Sequence, residues 1–347
     1  MNVLRRSVFL FVLIVLGALA LPRLSGAQTY TVKDLGTLGG AVSEAQAING
    51  LGEITGYSWV AGGLAVTHVF LYSGRDMMDL GTLGGNTGSG NAINSSAQVA
   101  GYSTNASNAY RAFLFSDGTM YDLGDLGGGA AVGYGLNDAG EVVGASWLAD
   151  GEIHPFLYSN GQMIDLGTLG SHTANWWNVA QDINNDGVIV GTSYDAQGNF
   201  FGFVYKNGQM HKLGTLGGEW SQAYAINDSG MITGNAYTKG NLACHAFLAV
   251  GSKMQDLGVL FDFPGADSWG FGINSQGDVV GLSDCQTCAT GYHAYLCSNG
   301  KMQDLNKLIP AGSGWILTQA NGINDEGEIV GFGTIKGHQH AFLLTPQ

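Results

Sequence analysis

Charged side chains make up only 12% of the 347-residue chain, and the basic ones are the scarcer: 13 Lys and Arg against 27 Asp and Glu. Three of those arginines (Arg5, Arg6 and Arg23) lie in the first 27 residues, which hold no acid, so the remainder carries 10 basic against 27 acidic groups, a formal charge of −17. That deficit argues against nucleic acid or an anionic membrane surface as a partner, because both are bound chiefly through clustered Lys and Arg. Linear signatures of catalysis are missing as well: there is no Gly-x-Ser-x-Gly elbow, Walker loop or dinucleotide fingerprint. Only four cysteines are present, which allow three pairings. Beyond the N-terminus no stretch is long and apolar enough to span a bilayer.

What is present begins with a leader of three parts: a basic start at Arg5 and Arg6, an apolar run from Val8 to Leu21, and the small residues Ser25-Gly26-Ala27 ahead of Gln28. This is the layout of a secretory signal peptide, and the run is short of the roughly 20 residues that a transmembrane helix needs. Residues 1–27 are therefore read as a signal peptide and residues 28–347 as one mature domain, released to the periplasm or the outside without a membrane span. Glycine accounts for 57 of the 347 residues, about twice the usual share of roughly 7%, and the surplus recurs at fixed places.

Those places belong to a repeat. Aligning on Asp-Leu-Gly gives starts at Asp34, Asp79, Asp122, Asp165, Lys212 (a substituted copy), Asp256 and Asp304. Each is followed by a phrase of the form Ile-Asn-x-x-Gly-x-x-x-Gly, such as "INGLGEITG" from 48 and "INDEGEIVG" from 323, and then by a short apolar phrase such as "HVFLYS" from 68 or "HAFLLT" from 340. Asn followed three residues later by Gly suits a hairpin on a type I turn, with Asn accepting a backbone bond. The intervening β-branched and aromatic runs are too short for helices. Four strands at a period of about 45 residues describe a β-propeller blade, here written seven times.

The two ends complement each other. The last copy stops at "HAFLLTPQ" without the strand that should follow, while the mature N-terminus starts with that strand alone, "TYTVKDLGTLGG" from Thr29. An open solenoid needs capping repeats rather than complementary ends. The expected fold is thus all-β, a seven-bladed propeller of four-stranded blades closed by an N-terminal strand that completes the last blade, and a monomer. At these phrases the chain resembles the secreted repeat proteins of the HAF family, after the His-Ala-Phe seen at 245 and 340. The resemblance covers nearly all of the mature chain and implies secretion and a repeat fold, with no catalytic residue to carry over. Departures from the pattern fall at Arg111 and Phe201, where His is missing, at Lys212, at Ala97 in place of the turn glycine, and in the last two crossings.

Naming the strands of a blade A (inner) to D (outer), the D-to-A and B-to-C links share one face and carry nearly all the variation in length. Trp176, Trp177, Trp220, Trp269 and Trp315 lie in D-to-A crossings, and Trp59 and Trp147 at the starts of B-to-C loops. Aromatic faces beside Asp and Glu suit flat hydroxylated ligands, so an extracellular glycan or other envelope component is the expected partner, oriented by Glu219, Asp262, Asp267, Asp150 or Asp195. The competing account is that the tryptophans fill gaps between blades. A polysaccharide-active enzyme, a glycosidase or lyase, would instead need two carboxylates on that face within about 5 to 10 Å, and a structural or adhesive surface protein would bury the tryptophans.

Other patterns are read as structural. His68, His154, His245, His293 and His340 occupy one position in five blades, too far apart for a ligand set, and are expected to hydrogen-bond backbone; the repeated Asp caps the turn that follows it. "DINNDG" from 182 opens like a calcium loop, but its twelfth position is Ser193 and the phrase is a plain hairpin elsewhere, so no cofactor is expected, with a structural calcium ion as the lesser alternative. Cys285, Cys288, His293 and Cys297 approach a zinc-knuckle spacing, yet His293 and Cys297 on one strand are roughly 13 Å apart, too far for one zinc ion. In an oxidising compartment Cys285 or Cys288 is expected in a disulfide, with Cys244 and Cys297 as further candidates.

Overall fold

The computed structural model describes residues 29–62, 66–170 and 177–347, so the leader and Trp176 lie outside the described residues. It is a seven-bladed β-propeller: seven four-stranded antiparallel sheets, six of them built from consecutive strands. Blade 1, for example, runs Gly39–Ile48, Ile54–Val60, Thr67–Tyr72 and Met77–Gly81. Blade 7 takes Trp315–Ile323, Ile329–Ile335 and His338–Pro346 from the C-terminus and its outer strand, Tyr30–Asp34, from the N-terminus, with Tyr30 opposite Pro346 and Asp34 opposite Phe342. Among the described residues no helix is long and apolar enough to cross a membrane.

Each blade buries the aromatic of its C strand completely: Phe70, Phe113, Phe156, Phe203, Phe247, Tyr295 and Phe342 are all at 0% exposure. These rings pack against β-branched residues of the B strand, small residues of their own blade's inner strand and residues of the preceding blade, as Phe70 does among Ile54, Ala45, Val330 and Ala341.

The last glycine of Ile-Asn-x-x-Gly-x-x-x-Gly has a specific cause. Every A strand carries a bulge where it pairs with B, shown by the register shifts at Ala45/Ala47, Gly133/Gly135 and their equivalents. The bulge drives an A-strand carbonyl toward the B strand, and a Cβ on Gly56, Gly101, Gly144, Gly191, Gly234, Gly281 or Gly331 would stand only 1.8–2.0 Å from that oxygen. No side chain fits there. Gly144→Ala is expected to lower stability by roughly 1–3 kcal/mol or more, because the obstacle is backbone, and chemical denaturation measures it. Deleting residues 29–35 removes the closing strand and is expected to abolish the cooperative melting transition seen by circular dichroism.

Candidate functional site

Turn asparagines at the channel mouth do more than their sequence role. The Oδ1 of Asn49, Asn94, Asn137, Asn184, Asn227, Asn274 and Asn324 accepts the N–H four residues on, at 2.8–3.0 Å, which holds the A-to-B turn. The same side chain's Nδ2 donates to the backbone carbonyl of the next blade's Asn, at 2.8–3.5 Å, and Asn324 returns to Asn49. The amides thus form a closed ring around a cavity of about 380 Å³. A second tier links the next residues, with Ser95, Asp138, Asn185 and Ser275 N–H groups donating to Asp138, Asn185, Asp228 and Asp325 side chains at 2.8–2.9 Å.

Asp182 breaks the symmetry of this cavity. The preceding position of the Ile-Asn phrase is Ala or Gly in the other six blades (Ala47, Ala92, Gly135, Ala225, Gly272, Gly322), and here a carboxylate faces the channel. Its oxygens accept the N–H groups of Ile183 and Ile226, both at 2.9 Å. Loss of water around it, with the Asp228 charge adding, nonetheless pushes its carboxyl up to about 7. An unfolded Asp titrates near 3.9, so the folded chain keeps this proton across the interval and the group's contribution to stability falls as pH rises from about 4 to about 7. Nothing in the repeat demanded an acid at this position; comparing the seven copies column by column would have singled it out.

The opposite face holds the aromatic residues. Trp177, 48% exposed, stacks on Phe200 at 6.5 Å; Phe200 stacks on Trp220 at 4.8 Å; Trp220 meets Tyr237 at 4.4 Å, and Tyr194 flanks Phe200 at 5.5 Å. This row runs across blades 4 and 5. Exposed Glu219 lies beside it, its backbone N–H held by the Asn241 carboxamide at 2.9 Å. Of the row, Phe200, Tyr194 and Tyr237 escaped the sequence reading because they sit at strand ends rather than in the variable crossings.

The other expected site residues are scattered. Trp269 packs edge-on to Tyr292 at 6.3 Å in blade 6, and Trp59 and Trp147 are half-buried in blades 1 and 3. Trp315 is 8% exposed in the core of blade 7, edge-on to Phe342, so it fills a gap as the competing account held. Asp150 and Asp262 are exposed. Asp195 is buried and committed, accepting Lys212 Nζ at 2.7 Å and two backbone N–H groups, and the Lys212 bond holds its carboxyl below the usual range. Asp267 accepts the Cys244 N–H at 2.7 Å and donates its own N–H to Asp284, whose carboxyl is raised by burial and by the Asp267 charge. This is the acid pair an enzyme reading would want, but both carboxylates are spent on backbone.

The repeated histidines pair with side chains, which corrects the backbone partner expected for them. His68, His154, His245, His293 and His340 each place Nδ1 2.8–3.1 Å from the outer-strand Asp of the same blade: Asp79, Asp165, Asp256, Asp304 and Asp34. The same Asp also accepts the N–H two residues on, as expected of a turn cap. Where the histidine is missing the partner changes with it. Arg111 pairs with Asp122 at 2.9 Å, and Phe201 lies under Lys212 Nζ at 4.1 Å.

Cys285 and Cys288 are joined in a disulfide within the B-to-C loop of blade 6. Cys244 and Cys297 are not disulfide partners: each is a buried thiol, Cys297 packed between blades 5 and 6, with burial pushing them up to about 12 and about 11.

No protein-family model and no curated protein matches this chain. Among solved structures it is similar to the β-propeller domain of the Trilobed protease from Pyrococcus furiosus, at 9% identity and a TM-score of 0.55 over 92% of this chain and 97% of that one. That propeller is described as having an open velcro topology, whereas here Tyr30–Asp34 closes the ring. A puromycin-hydrolysing peptidase of Mycobacterium tuberculosis is 13% identical with a TM-score of 0.55 over 84% of this chain and 48% of that one. TolB of Acinetobacter baumannii is 13% identical with a TM-score of 0.50 over 85% and 63%. This chain therefore spans about half the length of the peptidase, and likeness at these identities establishes the propeller class alone.

Asp182→Ala, a residue the other blades accept, is expected to flatten the fall of melting temperature between about pH 4 and pH 7; an unchanged slope would place the titration elsewhere.

Proposed function

We propose that this chain is a secreted, non-catalytic propeller of the HAF type that binds an extracellular glycan or related envelope material on its tryptophan-bearing face. The row Trp177–Phe200–Trp220–Tyr237 carries the reading. Pyranose rings offer apolar C–H faces that stack on aromatics, and their hydroxyls take orienting hydrogen bonds from neighbouring polar groups. Glu219 and Asn241 supply such groups at the row's centre. The commitment of Asp195, Asp267 and Asp284 to backbone and to Lys212 favours binding over hydrolysis, since a general acid and base must be free to exchange protons with the substrate. A closed ring with rigid strand ends holds the row in place without an ordering cost on binding.

Titrating the purified protein with soluble polysaccharides and envelope fragments, while monitoring tryptophan fluorescence and released products, tests this. The expected result is a saturable shift without product, weakened about tenfold or more in Trp220→Ala, the scale of an interface anchor, and unchanged in Trp59→Phe. Product formation would favour an enzyme. A flat response across the panel would leave a structural role.

A further inference from the structure

We propose that Cys285, Cys288 and His293 form a redox-gated zinc site, closed to metal while the disulfide is intact and opened by reduction. The ligand atoms of the three residues lie within 4.8 Å of one another. Cys297, the fourth member of the sequence pattern, is buried in the core between blades 5 and 6 and takes no part. Two thiolates and an imidazole with one position open is a coordination set that zinc accepts, and thiolates select it over calcium or magnesium.

Three features of blade 6 prepare the imidazole. Its Nδ1 is engaged by Asp304 Oδ2 at 3.1 Å, which leaves Nε2 as the ligand atom. His154, at the same strand position in blade 3, shows where that nitrogen points: its Nε2 meets Glu152 at 3.2 Å, on the approach from the B-to-C loop. In blade 6 that loop carries the two cysteines, folded back by Cys285 N–H donating to the Gly291 carbonyl at 2.8 Å. Finally, Asp304 is 4% exposed, against 37–46% for Asp34, Asp79, Asp165 and Asp256 in the other His–Asp pairs. A desolvated carboxylate behind a metal-binding imidazole fixes its tautomer and raises its basicity. Beside the sulfurs a cavity of about 340 Å³, bordered by Asp284 and Tyr292, has room for a water as the fourth ligand.

The switch balances as a thiol–disulfide exchange. Two equivalents of a small thiol reduce the Cys285–Cys288 bond, giving two cysteine thiols and one small-molecule disulfide. Zn²⁺ then displaces both thiol protons and forms two Zn–S bonds and one Zn–N bond, a neutral first shell. The reverse exchange releases the ion: the small-molecule disulfide accepts two electrons and is split into two thiols as the Cys285–Cys288 bond re-forms.

Zinc binding by the purified protein, before and after reduction with a phosphine that does not bind metal, tests the site. One Zn²⁺ per chain is expected after reduction and none before. Cys285→Ser and Cys288→Ser should each abolish binding, Asp304→Asn should weaken it 10- to 100-fold, and Cys244→Ala should leave it unchanged. Cobalt(II) in place of zinc should give thiolate-to-metal absorption lost in the same variants. The proposal is overturned if reduced protein with intact sheet circular dichroism binds no zinc, or if the Cys285→Ser/Cys288→Ser double variant binds it as the wild type does.

Discussion

The fold depends on one hydrogen-bonding device used seven times. A turn asparagine satisfies its own hairpin through Oδ1 and reaches the next blade through Nδ2, while its backbone carbonyl receives both the turn's N–H and the preceding blade's amide. Aspartate has no N–H to donate and serine cannot span both partners, which is why only asparagine fills the position. Each amide bond is modest alone, on the order of 1 kcal/mol. The ring makes them interdependent, since no blade can tilt without breaking a bond on each side. The glycine eight residues after Ile and the buried C-strand aromatic follow from the same geometry: the first admits the bulged inner strand, and the second fills the space between neighbouring sheets.

Asp182 is a single-residue departure on the channel side, but because the A-to-B face is committed to this ring, nearly all the variation in loop length falls on the other face. The departures from the repeat concentrate there. Blade 4 replaces a His–Asp pair with Phe201 under Lys212, brings Lys212 onto Asp195, and sets Phe200 in the aromatic row. Blade 6 keeps its His–Asp pair, buries it, and adds two cysteines above. A local rule broken in one copy, with a compensating partner nearby, is a mark of function in repeat proteins.

Much of this was legible in the sequence, and the limits are physical. Strand order, blade number and closure follow from phrases and complementary ends, which are properties of the chain alone. The asparagine's bond to its own turn was readable for the same reason, but its bond across blades was not, because that partner is 43 to 50 residues away in most copies. The His–Asp pairing could have been found: the separation is 11 residues in blades 1, 3, 5 and 6, and Arg111–Asp122 keeps it in blade 2, while the fifth pair, His340–Asp34, spans 306 residues because blade 7 takes its outer strand from the N-terminus. Trp315 was misplaced on the ligand face because the short 3-10 turn Leu305–Lys307, with Leu308 and Ile309 after it, folds over blade 7 and covers the indole.

The split seventh blade also imposes an order of events. Thr31 and Thr345, bonded in the finished ring, are 314 positions apart, so the first strand to be synthesised is among the last to be paired. Until then Tyr30–Asp34 is a bare edge with unpaired amides, and six blades can stack while the ring stays open. Arrival of His338–Pro346 thereby becomes the condition for closure: a product truncated before residue 338 has no strand to receive Tyr30–Asp34, and that edge stays unpaired.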